Sequence, residues 1–150
     1  FKTMCLINDS VFATPAHENS IYFHHIKTGT VLHEIPYANR RITCLLYSAK
    51  EQVLLSTGWD WTLNIWTVTA HGQEGFNQTF TSSLKHVINN PWRNDFTRLM
   101  FFDQTRVIAM DSQNCLAIID LILGKITCDL VRAFSTKEQY YFGCFTASLQ

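Results

Sequence analysis

The fold is decided by the stretch Ser56-Thr57-Gly58-Trp59-Asp60-Trp61-Thr62-Leu63-Asn64-Ile65-Trp66. It predicts one strand that ends in a polar turn at Asp60 and a second strand with apolar side chains at every other position. Ser56 lies four residues before the aspartate, and Trp66 lies six residues after it. This spacing allows the turn carboxylate to reach back along the sheet edge and pair polar groups that burial leaves without partners. We therefore predict a structural network of Ser56, Asp60 and Trp66.

Two further segments align with this stretch and define three similar units. In each unit two strand-like segments flank a polar turn, and the turn residues Glu18, Asp60 and Gln113 are 42 and 53 residues apart. A glycine and a further strand follow each pair, and an apolar run precedes it. Because helical periodicity is weak, we predict an all-β fold of four-stranded antiparallel units at about 1–36, 42–80 and 96–131.

The longer spacing before the third unit indicates extra residues there. The fourth strand of the middle unit is weak and is placed at 76–80, so an insertion is predicted at 80–95. Within it, 82–89 is the one stretch for which a short helix stays open. After the third unit, 140–146 predicts the start of another strand.

The three units resemble the WD40-repeat family of β-propellers over nearly the whole chain. The glycine turns Lys27-Thr28-Gly29 and Leu123-Gly124-Lys125 support the resemblance in the outer units. In the middle unit it is carried by Ser56, Asp60, Thr62, Trp66 and Gly72.

The chain also departs from the family pattern. The Gly-His pair of the family would fall near Tyr37-Ala38, where there is no histidine. The network positions differ in the outer units, where they read Thr14, Glu18 and His24 in the first and Ala109, Gln113 and Ile119 in the third. The resemblance is therefore to a divergent propeller that depends on apolar packing more than on the polar network.

The resemblance implies blades of four antiparallel strands, which in a closed propeller number about 4–8. Three blades would leave two apolar sheet faces uncovered. We therefore expect 1–150 to be part of a larger propeller, with the remaining blades supplied by missing sequence or by another chain.

The family resemblance also predicts a binding surface, because the turns between second and third strands emerge on the same side as the connections between units. Trp, Tyr and Arg are the residue types enriched at binding hot spots. Trp59 is the strongest candidate, because the residue before the turn aspartate commonly faces the partner in this family. The same loops contribute Glu18, Asn39, Ser112 and Gln113. The predicted partner-binding residues are His17, Tyr37, Arg40, Arg41, Trp59, Trp61, Trp92 and Arg93.

Composition limits the class of protein further. The chain has 150 residues, 47% of them hydrophobic, and its 12 basic and 12 acidic side chains balance. With no basic block we expect no nucleic-acid partner, and with no long apolar run we expect no membrane span. The start at Phe1, without a leader, indicates a piece of a longer protein.

The cysteines indicate a reducing environment. There are five of them, with no Cys-x-x-Cys pair, and most lie in apolar strand-like runs where a free thiol behaves as a small hydrophobe. We therefore predict an intracellular protein, cytoplasmic or nuclear.

No catalytic motif is found. His-Glu-x-x-His, Gly-x-Ser-x-Gly and phosphate-binding glycine loops are absent. The pair His24-His25 is unsuited to one metal ion, because adjacent strand residues point to opposite faces. We expect no catalytic residue, no cofactor and no metal, and hence no enzyme activity.

Two functions follow from these expectations. The first is a non-enzymatic scaffold that presents its loop face to a protein or peptide partner. The alternative is a structural propeller segment of a large assembly, such as a coat, a ubiquitin-ligase adaptor or a BEACH-type protein. That segment would make contact through blade sides and the insertion at 80–95.

Overall fold

A computed structural model describes residues 3–75 and 77–129 of the chain. These residues form an all-β fold, as predicted, with a single 3-10 turn at His17–Asn19. The strands are β1 (Cys5–Leu6), β2 (Val11–Pro15), β3 (Ile21–His25), β4 (Val31–Ile35), β5 (Cys44–Ser48), β6 (Val53–Thr57), β7 (Thr62–His71), β8 (Thr79–Asn89), β9 (Phe96–Phe101), β10 (Arg106–Asp111), β11 (Leu116–Asp120) and β12 (Lys125–Asp129).

The strands form three four-stranded antiparallel sheets, as predicted. Each sheet pairs consecutive strands: β1 to β4 in sheet I, β5 to β8 in sheet II and β9 to β12 in sheet III. No sheet is closed on itself, which is consistent with incomplete blades. The second and third strands of sheets I and II pair in the same register. Phe12 pairs with His24 in sheet I, and the aligned Leu54 pairs with Trp66 in sheet II.

The prediction of a loop insertion at 80–95 is wrong for residues 80–89, which belong to a strand. Strand β8 extends from Thr79 to Asn89 and pairs with β7 along its whole length, with a bulge near Lys85. The fourth strand of the middle unit is therefore much longer than predicted, and the helix left open at 82–89 is a strand. The physical reason is that β8 is largely exposed, so its two buried apolar residues, Phe80 and Ile88, are too far apart to give an alternating pattern. The strand predicted at 140–146 lies outside the described residues.

Sheet II is the centre of the fold because both of its faces are covered. All five residues of β6 are buried, and their side chains alternate between the two neighbouring sheets. Leu54 packs into a cluster with Val11 and Phe23 of sheet I. Val53 and Leu55 pack into a second cluster that includes Val107 and Ile119 of sheet III. Burying one such side chain stabilises the fold by roughly 1.5–3 kcal/mol.

Sheets I and III each pack through one face. In sheet I, Leu6 alternates with the buried Ile7 and is 65% exposed. In sheet III, the cross-strand row Met100, Ile108 and Ile118 lies opposite the buried face and stays partly exposed. The two outer sheet faces are thus uncovered by the described residues, and the face of sheet III presents an apolar row.

Candidate interaction face

The connections at one edge of the three sheets form a continuous surface. It comprises residues 16–20, 36–43, 58–61, 90–95 and 112–115, and we call it the loop face. Four backbone hydrogen bonds join each of these connections to the next. The bonds run from Ala38 N to Asn19 O (2.9 Å), Trp59 N to Arg40 O (2.6 Å), Asn90 N to Trp61 O (2.8 Å) and Ser112 N to Asp95 O (2.9 Å).

The predicted partner-binding residues lie on this face, and most of them are exposed. The exposed fraction is 73% for Tyr37, 49% for Trp59 and 48% for Trp61. Trp92 is half-buried, in a turn in which its N–H is bonded to the side-chain oxygen of Asn90 (3.0 Å). The remaining four, which are exposed, are His17, Arg40, Arg41 and Arg93.

The loop face holds several of these bulky residues in the left-handed backbone region. The φ angles are 50° for Tyr37, 48° for Arg41, 61° for Trp61 and 56° for Arg93. A side chain with a Cβ in this conformation costs roughly 1–2 kcal/mol. Such strain persists only where surrounding contacts impose it, and it concentrates at functional sites. The backbone hydrogen bonds between the connections supply that constraint.

A cation–π contact joins two connections of the face. The guanidinium carbon of Arg41 lies 3.9 Å from the ring centroid of Trp59. Trp59 belongs to the turn between β6 and β7, whereas Arg41 belongs to the connection between sheets I and II. Within residues 3–75 and 77–129, neither Arg40, Arg41 nor Arg93 forms an ion pair.

The Ser56, Asp60 and Trp66 network lies directly beneath the face. The indole N–H of Trp66 donates to Ser56 Oγ over 2.9 Å. Asp60 accepts from the N–H of Arg40 (3.0 Å) and from Thr62 Oγ1 (2.7 Å). The direct reach of Asp60 to Ser56 and Trp66, expected from the spacing, is not made.

Asn39 supplies the missing link between the two halves of the network. Its side-chain amide lies 2.5 Å from Ser56 Oγ and 3.0 Å from Thr62 Oγ1, and it bridges them in either orientation of the amide. Asn39 is only 3% exposed, so its assignment to the binding surface is corrected. The sequence feature that could have indicated this role is the Asn39 amide, which can both donate and accept hydrogen bonds. Asn39 lies next to Tyr37-Ala38, where the resemblance predicts a histidine.

In sheets I and III, other polar contacts hold the region beneath the loop face. In sheet I, Thr14 Oγ1 lies 3.0 Å from His24 Nε2, which reproduces the Ser56–Trp66 bond with the same separation of ten residues. In sheet III, the carboxylate of Asp111 is 1% exposed and accepts from four donors. The donors are the N–H groups of Gln113 and Cys115 and the side-chain amides of Asn90 and Asn94. The sequence pattern does not indicate this role, because Asp111 occupies none of the aligned network positions.

Metal binding requires clustered ligating side chains, and nucleophilic chemistry at Cys5 would require an ionised thiol. No group of three or more His, Cys, Asp or Glu side chains that could hold a metal ion occurs in this part of the chain. Burial raises the pKa of the Cys5 thiol to about 12, with a smaller contribution from Cys44, so Cys5 is protonated at neutral pH and a poor nucleophile. In the same part of the chain, no helix has the length and apolar character needed to cross a bilayer.

The loop face is an aromatic and cationic surface built from turns of all three sheets. No protein-family model matches the sequence, and neither does any curated protein. The loop face presents aromatic side chains with large contact areas and guanidinium groups that form no ion pair with the described residues. These groups bind by burial and charge-assisted hydrogen bonding.

Proposed function

We propose that this chain is a non-enzymatic interaction scaffold whose loop face binds a protein or peptide partner. The observation that carries the proposal is the exposure of Tyr37, Trp59 and Trp61 on turns that are hydrogen-bonded to one another. Exposed aromatic side chains offer large contact areas and lose little conformational entropy on binding. A partner that buried them would gain most of its affinity there.

Rigid presentation is the mechanism that this proposal implies. Strands of sheet II anchor the turn between β6 and β7 at both ends, and Asn39 and Asp60 anchor the neighbouring connection from below. Because the backbone hydrogen bonds between the loops hold them together without a partner, little conformational entropy is lost when the partner docks. The left-handed backbones of Tyr37 and Trp61 support rigid presentation. Strained conformations of this kind are retained at sites where they position a side chain for contact.

The experiment that tests the proposal places a photo-crosslinking amino acid at Gln113, an exposed residue of the loop face, in the full chain. The partner captured there is then titrated against Trp59→Ala and Arg40→Ala, with Leu123→Ala as the control. Leu123 is 57% exposed but lies in the turn between β11 and β12, away from the loop face. We expect Trp59→Ala to weaken binding by at least about tenfold and Leu123→Ala to leave it unchanged. Unaltered binding by both loop-face variants would refute the proposal.

We further propose that the chain is a divergent WD40-type segment whose remaining blades come from other sequence or another chain. The repeated polar bonds, Ser56 with Trp66 and Thr14 with His24, support this assignment. Asn39 does the bridging that the family assigns to a histidine. A cytoplasmic or nuclear location fits the free thiols of Cys5, Cys44 and Cys128.

A structural role in a larger assembly is the second candidate. The uncovered outer faces of sheets I and III favour it, with Leu6 exposed on one and the row Met100, Ile108 and Ile118 on the other, because exposed apolar patches mark interfaces. Since residues 79–89 are strand β8, the contact would involve these faces rather than a loop insertion. Leu6→Ser in sheet I and Ile108→Ser in sheet III would then abolish assembly, measured by sedimentation velocity, while Trp59→Ala leaves it intact. The opposite pattern would favour the loop face.

A further inference from the structure

The stack of Arg41 on Trp59 leaves a guanidinium group prepared for an anion. A guanidinium that lies over an aromatic ring uses its face for the cation–π contact and keeps its N–H donors in the ring plane available. The Arg41 guanidinium carbon lies over the Trp59 ring, 3.9 Å from its centroid, which is within the range of a cation–π contact. The cation and the aromatic surface thus form one composite feature of the loop face.

Both members of the stack are held in place by main-chain bonds. The N–H of Arg41 donates to the side-chain oxygen of Asn19 over 2.8 Å, which ties it to sheet I. The N–H of Trp59 donates to the carbonyl of Arg40 over 2.6 Å. Gly58, next to Trp59, approaches this connection so closely that an added Cβ would lie 2.3 Å from the Arg40 carbonyl oxygen. The backbones are therefore fixed before any ligand binds.

No carboxylate of the described residues neutralises Arg41. Asp60, which follows Trp59 in the same turn, is bonded to the N–H of Arg40 and to Thr62. The ion pair Arg106–Asp103 lies in sheet III, outside the loop face. An ordered cation without a counter-charge favours a ligand that supplies one, because an Arg–carboxylate pair makes two parallel charge-assisted bonds.

We propose that the partner of the loop face inserts a carboxylate side chain, from Asp or Glu of a protein segment, onto the Arg41 guanidinium beside Trp59. This proposal rests on the proposed function, since it specifies the chemistry of the same surface. The charges of the face favour a protein segment over a nucleic acid. Glu18, Asp60 and Asp95 on the same loops would repel successive phosphates of a continuous chain, whereas a single carboxylate needs only the Arg41 guanidinium and the neighbouring Trp59 ring.

The test uses the full chain labelled with nitrogen-15 and two pools of acetylated, amidated hexapeptides. One pool has Glu fixed at the third position and the other has Gln there, with all other positions randomised. The readouts are the signals of the Trp59 indole N–H and the Arg41 Nε–H. We expect the Glu pool to shift both signals at a concentration about tenfold lower than the Gln pool does.

Two arginine variants separate a specific carboxylate site from general charge attraction. Arg41→Lys keeps the charge but removes the planar fork, and we expect it to abolish the preference for the Glu pool. Arg98→Lys is the matched control, because Arg98 is an exposed arginine on β9 outside the loop face. The buried Trp66–Ser56 bond gives a check of folding, since the Trp66 indole signal stays at its position in a folded variant.

The outcomes distinguish this inference from the proposed function. Equal shifts of Trp59 by the Glu and Gln pools would overturn the carboxylate site and leave the loop face as a binding surface. A shift of Trp59 by oligouridylate at a lower concentration than by the Glu pool would overturn it in favour of a nucleic-acid ligand. No shift by either pool at millimolar concentration would also overturn it. The proposed function fails separately, if the captured partner binds Trp59→Ala as tightly as the unchanged protein.

Discussion

The indole N–H of Trp66 donates a 2.9 Å hydrogen bond to Ser56 Oγ, which joins β7 to β6 beneath the loop face. Ser56 is fully buried, and its hydroxyl also contacts the amide of Asn39. One buried hydroxyl thus connects the strands of sheet II to the connection that carries Arg40 and Arg41. The position of this connection, and hence of its arginines on the loop face, depends on polar contacts inside the sheet.

We predict that Trp66→Phe destabilises the fold, because it removes the donor and leaves Ser56 with one partner fewer. The expected decrease in the free energy of unfolding is about 1–2 kcal/mol, measured by urea denaturation. Trp92→Phe is the control: the Trp92 indole makes no hydrogen bond to the described residues, so the change should cost less than about 0.5 kcal/mol. Equal costs for the two variants would show that the bond contributes nothing to stability.

Gly58→Ala is expected to disrupt the loop face by steric conflict. A Cβ there would lie 2.3 Å from the Arg40 carbonyl oxygen and 2.7 Å from Asn39 Cβ, so the connection must move. We expect a loss of about 1–3 kcal/mol, together with movement of the Trp59 indole signal. Gly72→Ala is the contrast: Gly72 has φ +83° and open space around it, so only backbone strain of about 1 kcal/mol opposes the change there. A milder effect at Gly58 than at Gly72 would contradict the close approach.

His33 makes part of the stability depend on pH. Burial between sheet I and strand β8 lowers the pKa of His33 below 6.5, and the charge of Glu34 partly offsets the shift. Its Nε2 lies 2.8 Å from Ser82 Oγ, and its ring packs edge-on against Phe23. Because the unfolded chain binds the proton more readily, the contribution of His33 is complete above pH 6.5 and is lost as the pH falls through its folded pKa.

The measurement is the free energy of unfolding at pH 7.5 and pH 5, for the unchanged protein and for His33→Gln. The variant should lose less stability on acidification, because glutamine does not titrate in this range. A larger loss in the variant, or an identical one, would show that burial of His33 does not govern this pH dependence.

Trp61→Asn is expected to give a more stable fold than Trp61→Ala, while both changes weaken partner binding. Trp61 holds φ at 61°, a region that asparagine occupies far more readily than a bulky aromatic residue. Relief of this strain should raise the free energy of unfolding by about 0.5–1 kcal/mol relative to Trp61→Ala, which loses the same ring without gaining the preferred backbone. If the alanine variant proves the more stable of the two, strain at Trp61 is not the controlling factor.

The strands and turns around Asp60 could be predicted because their signals are local. The alternation Leu63, Ile65 and the turn before them specify a hairpin, and its two strands are β6 and β7. Strand β8 could not be predicted in the same way. Its exposed Thr and Ser residues give no contrast between two faces, and only the ten-residue partner strand β7 imposes its extended conformation.

The sequence by itself determined the all-β class, the three four-stranded units and the aromatic and arginine residues of the connecting loops, because each depends on patterns within a few neighbouring positions. Only the tertiary structure decided that Asn39 bridges Ser56 and Thr62, that Asp111 ties sheet III to the loop before it, and that Arg41 covers Trp59. These contacts join residues about 17 to 23 positions apart on separate turns. The turns meet only after the sheets have packed, and the packing free energy comes from apolar side chains that carry no information about which polar groups will face each other.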